Sequence, residues 1–165
     1  MSDEVYLSII QEQEPDFSEQ FCEGVSIDDL DNEAIEILKD KYAKKQKNPS
    51  FRSLENYQAL SDLGLIFQGK VTNAAVILVG KKDIINSKYP QAKISLEYRT
   101  GESNIHFDAR EFFDGPYYIM IDKLWAAINS RNGSVPVRNG IYKDYDIPLF
   151  NEDVIREALN NAIAH

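Results

Sequence analysis

The spacing of hydrophobic residues changes along this chain, and that change constrains its fold more than any other feature. In the stretch 25–48, Ile35, Leu38 and Tyr42 recur at helical spacing. In the stretch 92–100, apolar and polar residues alternate, as in a half-buried strand. Helical and strand patterns do not alternate regularly, so the sequence predicts an α+β fold. Its parts would be N-terminal helices, a small mixed or antiparallel sheet with packed helices, a β-hairpin and a truncated C-terminal helix.

Capping and turn residues predict where elements of the first half begin and end. Asp31 is placed to cap the first long helix, and Gly64 to close a second one. The residues 67–70 have the composition of a tight turn. The apolar run between Thr72 and Gly80 fits either a buried strand or a buried helix. Its alanines favour a helix, with the threonine as its N-cap and the glycine at its end.

The second half is predicted to contain a strand pair, a helix, a hairpin and a final helix. The alternating strand could pair with the stretch 105–113. A helix is expected to start at Pro116 and to end at Gly133. Asn139-Gly140 lies between two β-prone arms, which is a strong hairpin signal. Asn151 can cap the last helix, which has two acids in its first turn.

Charge and cysteine content limit the compartment and the partners. The chain has a net charge of -9, so its surface as a whole disfavours phosphate backbones. Cys22 is the only cysteine, which excludes an internal disulfide and suits a reducing cytosol. There is no apolar run long enough for a membrane helix and no signal-peptide pattern at the start. The sequence therefore predicts a cytoplasmic protein with no membrane partner.

Most familiar catalytic motifs are absent. His106 and His165 are the only histidines, and no H-x-x-x-H, C-x-x-C or G-x-S-x-G pattern occurs. No metal site is therefore predicted in this chain, and His106 is expected to be an exposed strand histidine. The glycine-rich phosphate loops of nucleotide-binding proteins are missing as well.

One stretch, 39–52, is strongly basic, with five lysines and one arginine against a single aspartate. Tyr42 and Phe51 lie among these charges, an arrangement that could contact a nucleic-acid backbone. The alternative is a solvated helix end on an acidic protein, which is the commoner behaviour of charge runs. The candidate contact residues are Lys41, Lys44, Lys45, Lys47 and Arg52.

The last stretch, "NEDVIREALNNAIAH", is the most regular helical pattern. Val154, Ala158 and Ala162 form one row of a broad apolar face that needs a partner surface. Glu157 and Asn161 are four residues apart, so they share a face and can act at one point. A carboxylate can position a water molecule, and an amide oxygen can ligate Mg²⁺.

Four segments together resemble one group of bacterial proteins. "IREALNNAIAH" resembles the N-box, the first conserved helix of GHKL-type ATPases, in the version found in RecG-like helicases and transcriptional regulators. "LSDLGLIFQGKVTNAAVILVGKK" and "YPQAKISLEYRTG" resemble successive segments of the same proteins. "EGVSIDDLD" resembles the tail of their Schlafen/AlbA-type DNA-binding domain. The resemblance runs in order from about residue 20 to residue 165.

The resemblance implies that the chain is a middle piece of a longer protein. Residues 1–24 would be the tail of the Schlafen/AlbA-type domain, 25–150 an α+β connecting domain, and 151–165 the first helix of a truncated GHKL-type ATPase domain. In the full-length protein Glu157 would position the attacking water and Asn161 would hold Mg²⁺ with ATP. The nucleotide lid and the D-x-G-x-G element are absent here. We therefore expect no cofactor, no tight ATP binding and no ATP hydrolysis by this chain alone.

Three functions follow from these observations. The first is a connecting fragment of a bacterial transcriptional regulator that links a DNA-binding module to an ATP-binding module, with DNA as a partner of the longer protein. The second is a piece of an ATP-dependent DNA helicase or ATPase, although the chain contains no P-loop. The third is a stand-alone protein–protein interaction domain that forms a homodimer through its C-terminal helix.

Overall fold

The computed structural model describes residues 16–99, 101, 106, 108–138 and 145–164. Within these residues the chain forms six α-helices and three two-stranded sheets, and the predicted α+β fold is confirmed. The chain divides into two compact units. Unit 1 consists of residues 1–93 with 114–118, and unit 2 consists of residues 94–113 with 119–165.

Unit 1 is mainly helical. The strands β1 (Ile66–Phe67) and β2 (Lys70–Val71) form its antiparallel hairpin. Three short 3-10 turns connect its elements: Phe17–Glu19, Ile27–Asp29 and Pro49–Ser53. Its α-helices are α1 (Asn32–Lys45), α2 (Asn56–Asp62), α3 (Asn73–Val79) and α4 (Lys82–Lys88).

The apolar run after Thr72 is a helix, as its alanines favoured. The Thr72 side chain accepts a hydrogen bond from the backbone N–H of Ala75 at 3.2 Å and caps α3. Gly80 follows the helix directly, and a Cβ there would lie 2.4 Å from the carbonyl oxygen of Val76. Only glycine fits at this close approach, which explains the residue that ends the run. The predicted cap of α1 is also confirmed, since Asp31 accepts from the N–H of Ala34 at 3.0 Å.

The core of unit 1 draws on its four described helices and on the hairpin. Helix α3 contacts the Phe17–Glu19 turn, α1 and α4. Isolated antiparallel bridges pair Phe21 with Thr72 and Leu30 with Gly80, so both ends of α3 are held by the segment that precedes α1. The largest fully buried side chains in the core of unit 1 are Ile35, Leu60, Ile66, Ile85, Val71, Val76 and Val79.

Unit 2 combines strands with two longer helices. Strand β3 pairs with β4, and β5 pairs with β6 in antiparallel orientation. A few terminal residues of β3, β4 and α5 group with unit 1. The elements are β3 (Lys93–Tyr98), β4 (Ala109–Asp114), α5 (Tyr117–Asn129), β5 (Ser134–Val137), β6 (Tyr145–Pro148) and α6 (Glu152–Ala164).

Two sequence predictions for this half are corrected. Helix α5 ends at Asn129 rather than at Gly133, because the N–H groups of Arg131 and Asn132 bond three residues back and tighten the chain into a turn. His106 is exposed, as expected, but it lies in a bend rather than in a strand, since β4 begins at Ala109.

The predicted hairpin near residue 140 is present, with a wider connection than a two-residue turn. Val137 pairs with Tyr145, whereas a two-residue turn at Asn139-Gly140 would pair it with Tyr142. The Asn139-Gly140 pair itself lies outside the described residues. The predicted domain boundaries at residues 24 and 150 concern modules of a longer protein. The division into two units does not test these boundaries, so they stay predictions.

The β1–β2 hairpin gives a test of backbone conformation. Gln68 and Gly69 form its two-residue loop, and both have a positive φ, of 50° and 77°. A Cβ on Gly69 would meet nothing within 4 Å, so substitution there changes only the backbone energy. We expect Gly69→Ala to lower the free energy of unfolding by about 1–2 kcal/mol. Gln68→Asn should raise it slightly, because asparagine tolerates a positive φ better.

Urea denaturation followed by circular dichroism measures both effects. The two variants change the same loop in opposite directions, so each serves as the control for the other. Equal stability of Gly69→Ala and the natural chain would contradict this account of the turn.

Candidate functional site

The start of α6 is fixed by its own side-chain cap. The Oδ1 atom of Asn151 accepts hydrogen bonds from the backbone N–H groups of Asp153, at 2.9 Å, and Val154, at 3.3 Å. Glu152 and Asp153 occupy the first turn, where negative charge complements the helix dipole. The cap predicted for the last helix is therefore confirmed.

Two sets of polar contacts orient α6 within unit 2, one just before the helix and one between α6 and α5. The Asn132 side chain pairs with both backbone groups of Phe150. It accepts from the N–H at 2.9 Å and donates to the carbonyl oxygen at 2.9 Å. The Arg156 guanidinium contacts Asp122 on α5 at 2.9 Å and Glu152 at 2.7 Å. Burial disfavours the charge of Arg156, but hydrogen bonds to Glu152 and Asp122 outweigh it and raise the pKa of this residue.

Glu157 and Asn161 lie on the exposed part of the same helix. Both side chains are exposed, as are Val154, which is 64% exposed, and Ala158. The helix therefore has one part fixed by Arg156 and another part open to solvent. The spacing that suggested a shared face is realised in a continuous helix, and the role of the pair stays a prediction.

The donor set on α6 suits half of a magnesium–nucleotide site. The amide oxygen of Asn161 is the hard ligand type that Mg²⁺ accepts, and the Glu157 carboxylate can accept a hydrogen bond from water. Among the residues described, no group of three or more His, Cys, Asp or Glu could hold a metal ion.

The candidate nucleic-acid residues cluster at the end of α1 and in the turn that follows it. Lys44, Lys47 and Arg52 line a surface depression of about 340 Å³. Asp40 lies in the same depression, where it contacts Lys44 at 2.6 Å and Arg52 at 3.2 Å. The hydrogen bond from Lys44 lowers the pKa of the Asp40 carboxyl below its usual value. Lys41 and Lys45 do not line this depression.

The structure makes this stretch less basic and less aromatic at its surface than the sequence suggests. Lys39 is buried and donates to Glu36 at 2.8 Å and to Asn56 at 3.1 Å. Phe51 is buried, and its ring packs on Tyr42 with centroids 4.5 Å apart. Phe51 belongs to a hydrophobic cluster, and Tyr42 is partly buried against that cluster.

Sequence reasoning missed a buried polar network in unit 1. The Tyr89 hydroxyl donates to the side-chain oxygen of Asn73 and lies 3.3 Å from the sulfur of Cys22. Asn73 in turn donates to the backbone oxygen of Phe17 at 2.9 Å. Burial and the contact with Cys22 raise the pKa of Tyr89. The network ties three elements together, and its partners are too far apart in sequence for a local motif to reveal them.

The protein has an α+β fold. Its first unit is a helical module, and its last helix, α6, is partly exposed. Residues 7–95 match the family described as a domain of unknown function, DUF8451, so more than half of the chain is covered. The chain belongs to that family. The match ends close to Lys93, where the continuous part of unit 1 ends.

The fold also occurs inside a longer chain of known structure. The crystal structure of the DIP2311 protein from Corynebacterium diphtheriae is similar to 97% of this chain, with a TM-score of 0.70 and 18% sequence identity. The similar part covers 30% of the DIP2311 chain. No curated protein matches the sequence. In the part of the chain that the structure describes, no helix has the length and apolar character to cross a membrane.

We expect the contact between Asn132 and Phe150 to control the order of α6. Asn132→Ala removes two hydrogen bonds and should lower the free energy of unfolding by about 1–2 kcal/mol. The rate of amide hydrogen exchange should increase more at the start of α6 than in α5. Lys123→Ala, at an exposed position of α5, is the control. Unchanged exchange in α6 would show that this contact does not hold the helix.

For the basic segment 39–52, two kinds of substitution should change DNA affinity in opposite directions. If it binds a phosphate backbone, Lys44→Glu combined with Lys45→Glu should weaken binding to duplex DNA by about tenfold or more at low salt. Asp40→Asn should strengthen it, because the carboxylate no longer neutralises Lys44 and Arg52. Fluorescence anisotropy with a labelled oligonucleotide measures both, and Lys123→Glu, which makes half of the double variant's charge change outside the segment, shows how much a charge change alone contributes. Equal affinity of all variants would exclude this segment from DNA binding.

Proposed function

We propose that the chain forms the connecting part of a cytoplasmic bacterial transcriptional regulator. In that protein it joins a DNA-binding module to an ATP-binding module. Its own contribution is to bind and to transmit conformational change, and it catalyses no reaction alone. The observation that carries this proposal is that α6 is anchored through Arg156 while Glu157 and Asn161, on the same helix, stay exposed.

The surroundings of the exposed pair support a helix shared with a further module. Val154 and Ala158 are exposed beside Glu157, so apolar surface lies next to the candidate chemical groups. An apolar row with polar groups beside it is typical of a surface that another domain covers. The 30% share of the DIP2311 chain also supports the proposal, because there the fold is one part of a longer protein.

The chemistry assigned to α6 is simple. Bound Mg-ATP would supply the phosphoanhydride bond that is cleaved. The Glu157 carboxylate would accept a hydrogen bond from the attacking water and orient it, while the Asn161 oxygen would ligate the metal. The hydrogen bonds of Asn132 and Arg156 would fix the direction in which the helix carries both groups.

The arrangement of α6 also allows a relay without catalysis. The contact of Arg156 with Asp122 links α6 to α5. The contact of Asn132 with Phe150 closes the segment between the two helices, because Asn132 follows α5 and Phe150 precedes α6. A change in the position of α6 would therefore act on α5 through defined contacts. A coupling of this kind needs two arrangements of α6, and nucleotide binding must shift the equilibrium between them.

The test is ATP hydrolysis by the full-length protein that contains this chain. Glu157→Gln should lower kcat by about 100-fold or more while ATP still binds. Asn161→Ala should weaken binding of ATP in the presence of Mg²⁺. Asp153→Asn makes the same charge change on the same helix and should leave kcat unchanged.

Two outcomes would contradict the proposal. One is hydrolysis by the full-length protein that Glu157→Gln does not affect. The other is turnover of ATP by residues 1–165 alone that Glu157→Gln abolishes. ATP-dependent strand separation by the full-length protein would instead favour the helicase function.

The exposed apolar side chains favour a second candidate, a protein–protein interaction domain that forms a homodimer through α6. Val154 is 64% exposed, and Ala158, one turn further along the helix, is exposed as well. A dimer should then dissociate on Val154→Asp, as measured by sedimentation equilibrium, and persist on Lys123→Glu. A chain that is monomeric at all concentrations would exclude this candidate.

A further inference from the structure

Unit 2 contains an apolar pocket between its first sheet and its two helices. We call it the α5–α6 pocket, and its volume is about 210 Å³. Strands β3 and β4 form one wall, the end of α5 another, and the start of α6 the third. Its apolar side chains are mainly Leu96, Tyr98, Ala127, Ile128, Phe150 and Ile155.

The size and lining of this pocket define a class of occupant. Water gains little in a cavity without polar partners, whereas apolar cavities of about 150 Å³ take up a single aromatic ring. Pockets for drug-sized ligands start at about 300 Å³, so this pocket is smaller than those. The pocket therefore suits one ring or an equally small branched group.

Charged groups at the rim specify the rest of the ligand. Glu97 is hydrogen-bonded by Arg110 and by Arg99. The Arg131 guanidinium is held more loosely, with Nη1 3.4 Å from Glu111 Oε1. An ordinary charge-assisted hydrogen bond spans about 2.7–2.9 Å, so this pair is weak.

Arg131 is also placed to bind a planar anion. Its guanidinium carbon lies 5.6 Å from the centroid of the Tyr98 ring, so the side chain stands at the pocket wall. A carboxylate can take two parallel hydrogen bonds from a guanidinium, which the 3.4 Å contact with Glu111 does not provide.

We propose that the α5–α6 pocket binds a small aromatic carboxylic acid of the size of benzoate. The ring occupies the apolar cavity between Ala127 and Ile155. The carboxylate replaces Glu111 as the partner of Arg131. Binding needs no metal ion and no covalent step.

Occupation of this pocket acts directly on α6. Ile155 lies near the start of α6 and Phe150 directly precedes its cap, so a bound ring fills the space beneath the start of the helix. The ligand should therefore protect the amides of α6 from hydrogen exchange. Any effect on ATP hydrolysis rests on the proposed function, but binding itself does not.

The experiment is a titration of the chain 1–165 with benzoate, followed by isothermal calorimetry and by amide chemical shifts. Shifts should concentrate at residues 96–98, 127–131 and 150–155. Ala127→Leu fills the cavity and should weaken binding by about tenfold or more, since little room for a ring remains. Ala126→Leu adds the same atoms to an exposed position of the same helix and should change the affinity less than twofold.

Two rim variants test the anion contact. Arg131→Gln should weaken benzoate binding about tenfold and leave binding of benzyl alcohol, a neutral molecule of the same size, unchanged. Glu111→Gln should strengthen benzoate binding, because it removes the competing carboxylate. Thermal denaturation confirms that each variant is folded, and the rim variants decide the matter if Ala127→Leu does not fold.

The proposal is overturned if about 10 mM benzoate neither shifts these amides nor releases heat. It is also overturned if Ala126→Leu and Ala127→Leu bind equally, or if Arg131→Gln leaves benzoate binding intact. Because the titration contains no ATP, a failed titration leaves the role of Glu157 in the full-length protein untouched. If Glu157 proves to have no role in ATP hydrolysis, the result of the benzoate titration is likewise unaffected.

Discussion

The burial of α3 is the constraint on which unit 1 depends. This helix is one of the shortest in the described residues, yet it contacts α1, α4 and the first 3-10 turn. Its threonine caps it, its asparagine reaches the backbone of Phe17, and the glycine after it admits a close approach of the chain. A seven-residue helix is too short to be stable alone, so these tertiary contacts must maintain it. The family match covers this region, which agrees with its central place in the unit.

Unit 2 follows a different principle, because polar side chains rather than a large core fix its final helix. Asn132 bonds both backbone groups of Phe150, and Arg156 contacts Asp122 on α5, so these two residues orient a helix whose start is fixed by the Asn151 cap. Glu157 and Asn161 then extend from a helix whose rotation is set. The α5–α6 pocket lies beneath the start of the same helix, so α6 carries the candidate nucleotide pair and also contributes to the proposed ligand site.

Local sequence signals predicted the elements and their caps, whereas long-range contacts escaped them. Asp31, Thr72 and Asn151 were identified as caps because a cap acts within three residues. The end of α5 was placed too late, because backbone bonds closed the turn before the glycine was reached. Tyr42 and Phe51 lie among basic residues in the sequence, and their rings pack together through a fold that periodicity cannot show. For α6, the spacing of Glu157 and Asn161 was readable, while the Arg156–Asp122 contact and the pocket depend on tertiary packing.

The β5–β6 hairpin has a consequence for handling the protein. Val135, Tyr145 and Ile147 share one face of this two-stranded sheet and are each about half exposed. Among the described residues each of its strands has one partner, which leaves backbone N–H and C=O groups along both edges. Apolar side chains above an open strand edge are a template for adding a strand from another molecule. Concentrated solutions should therefore favour strand exchange between copies, and unit 2 would limit the shelf life of the purified chain.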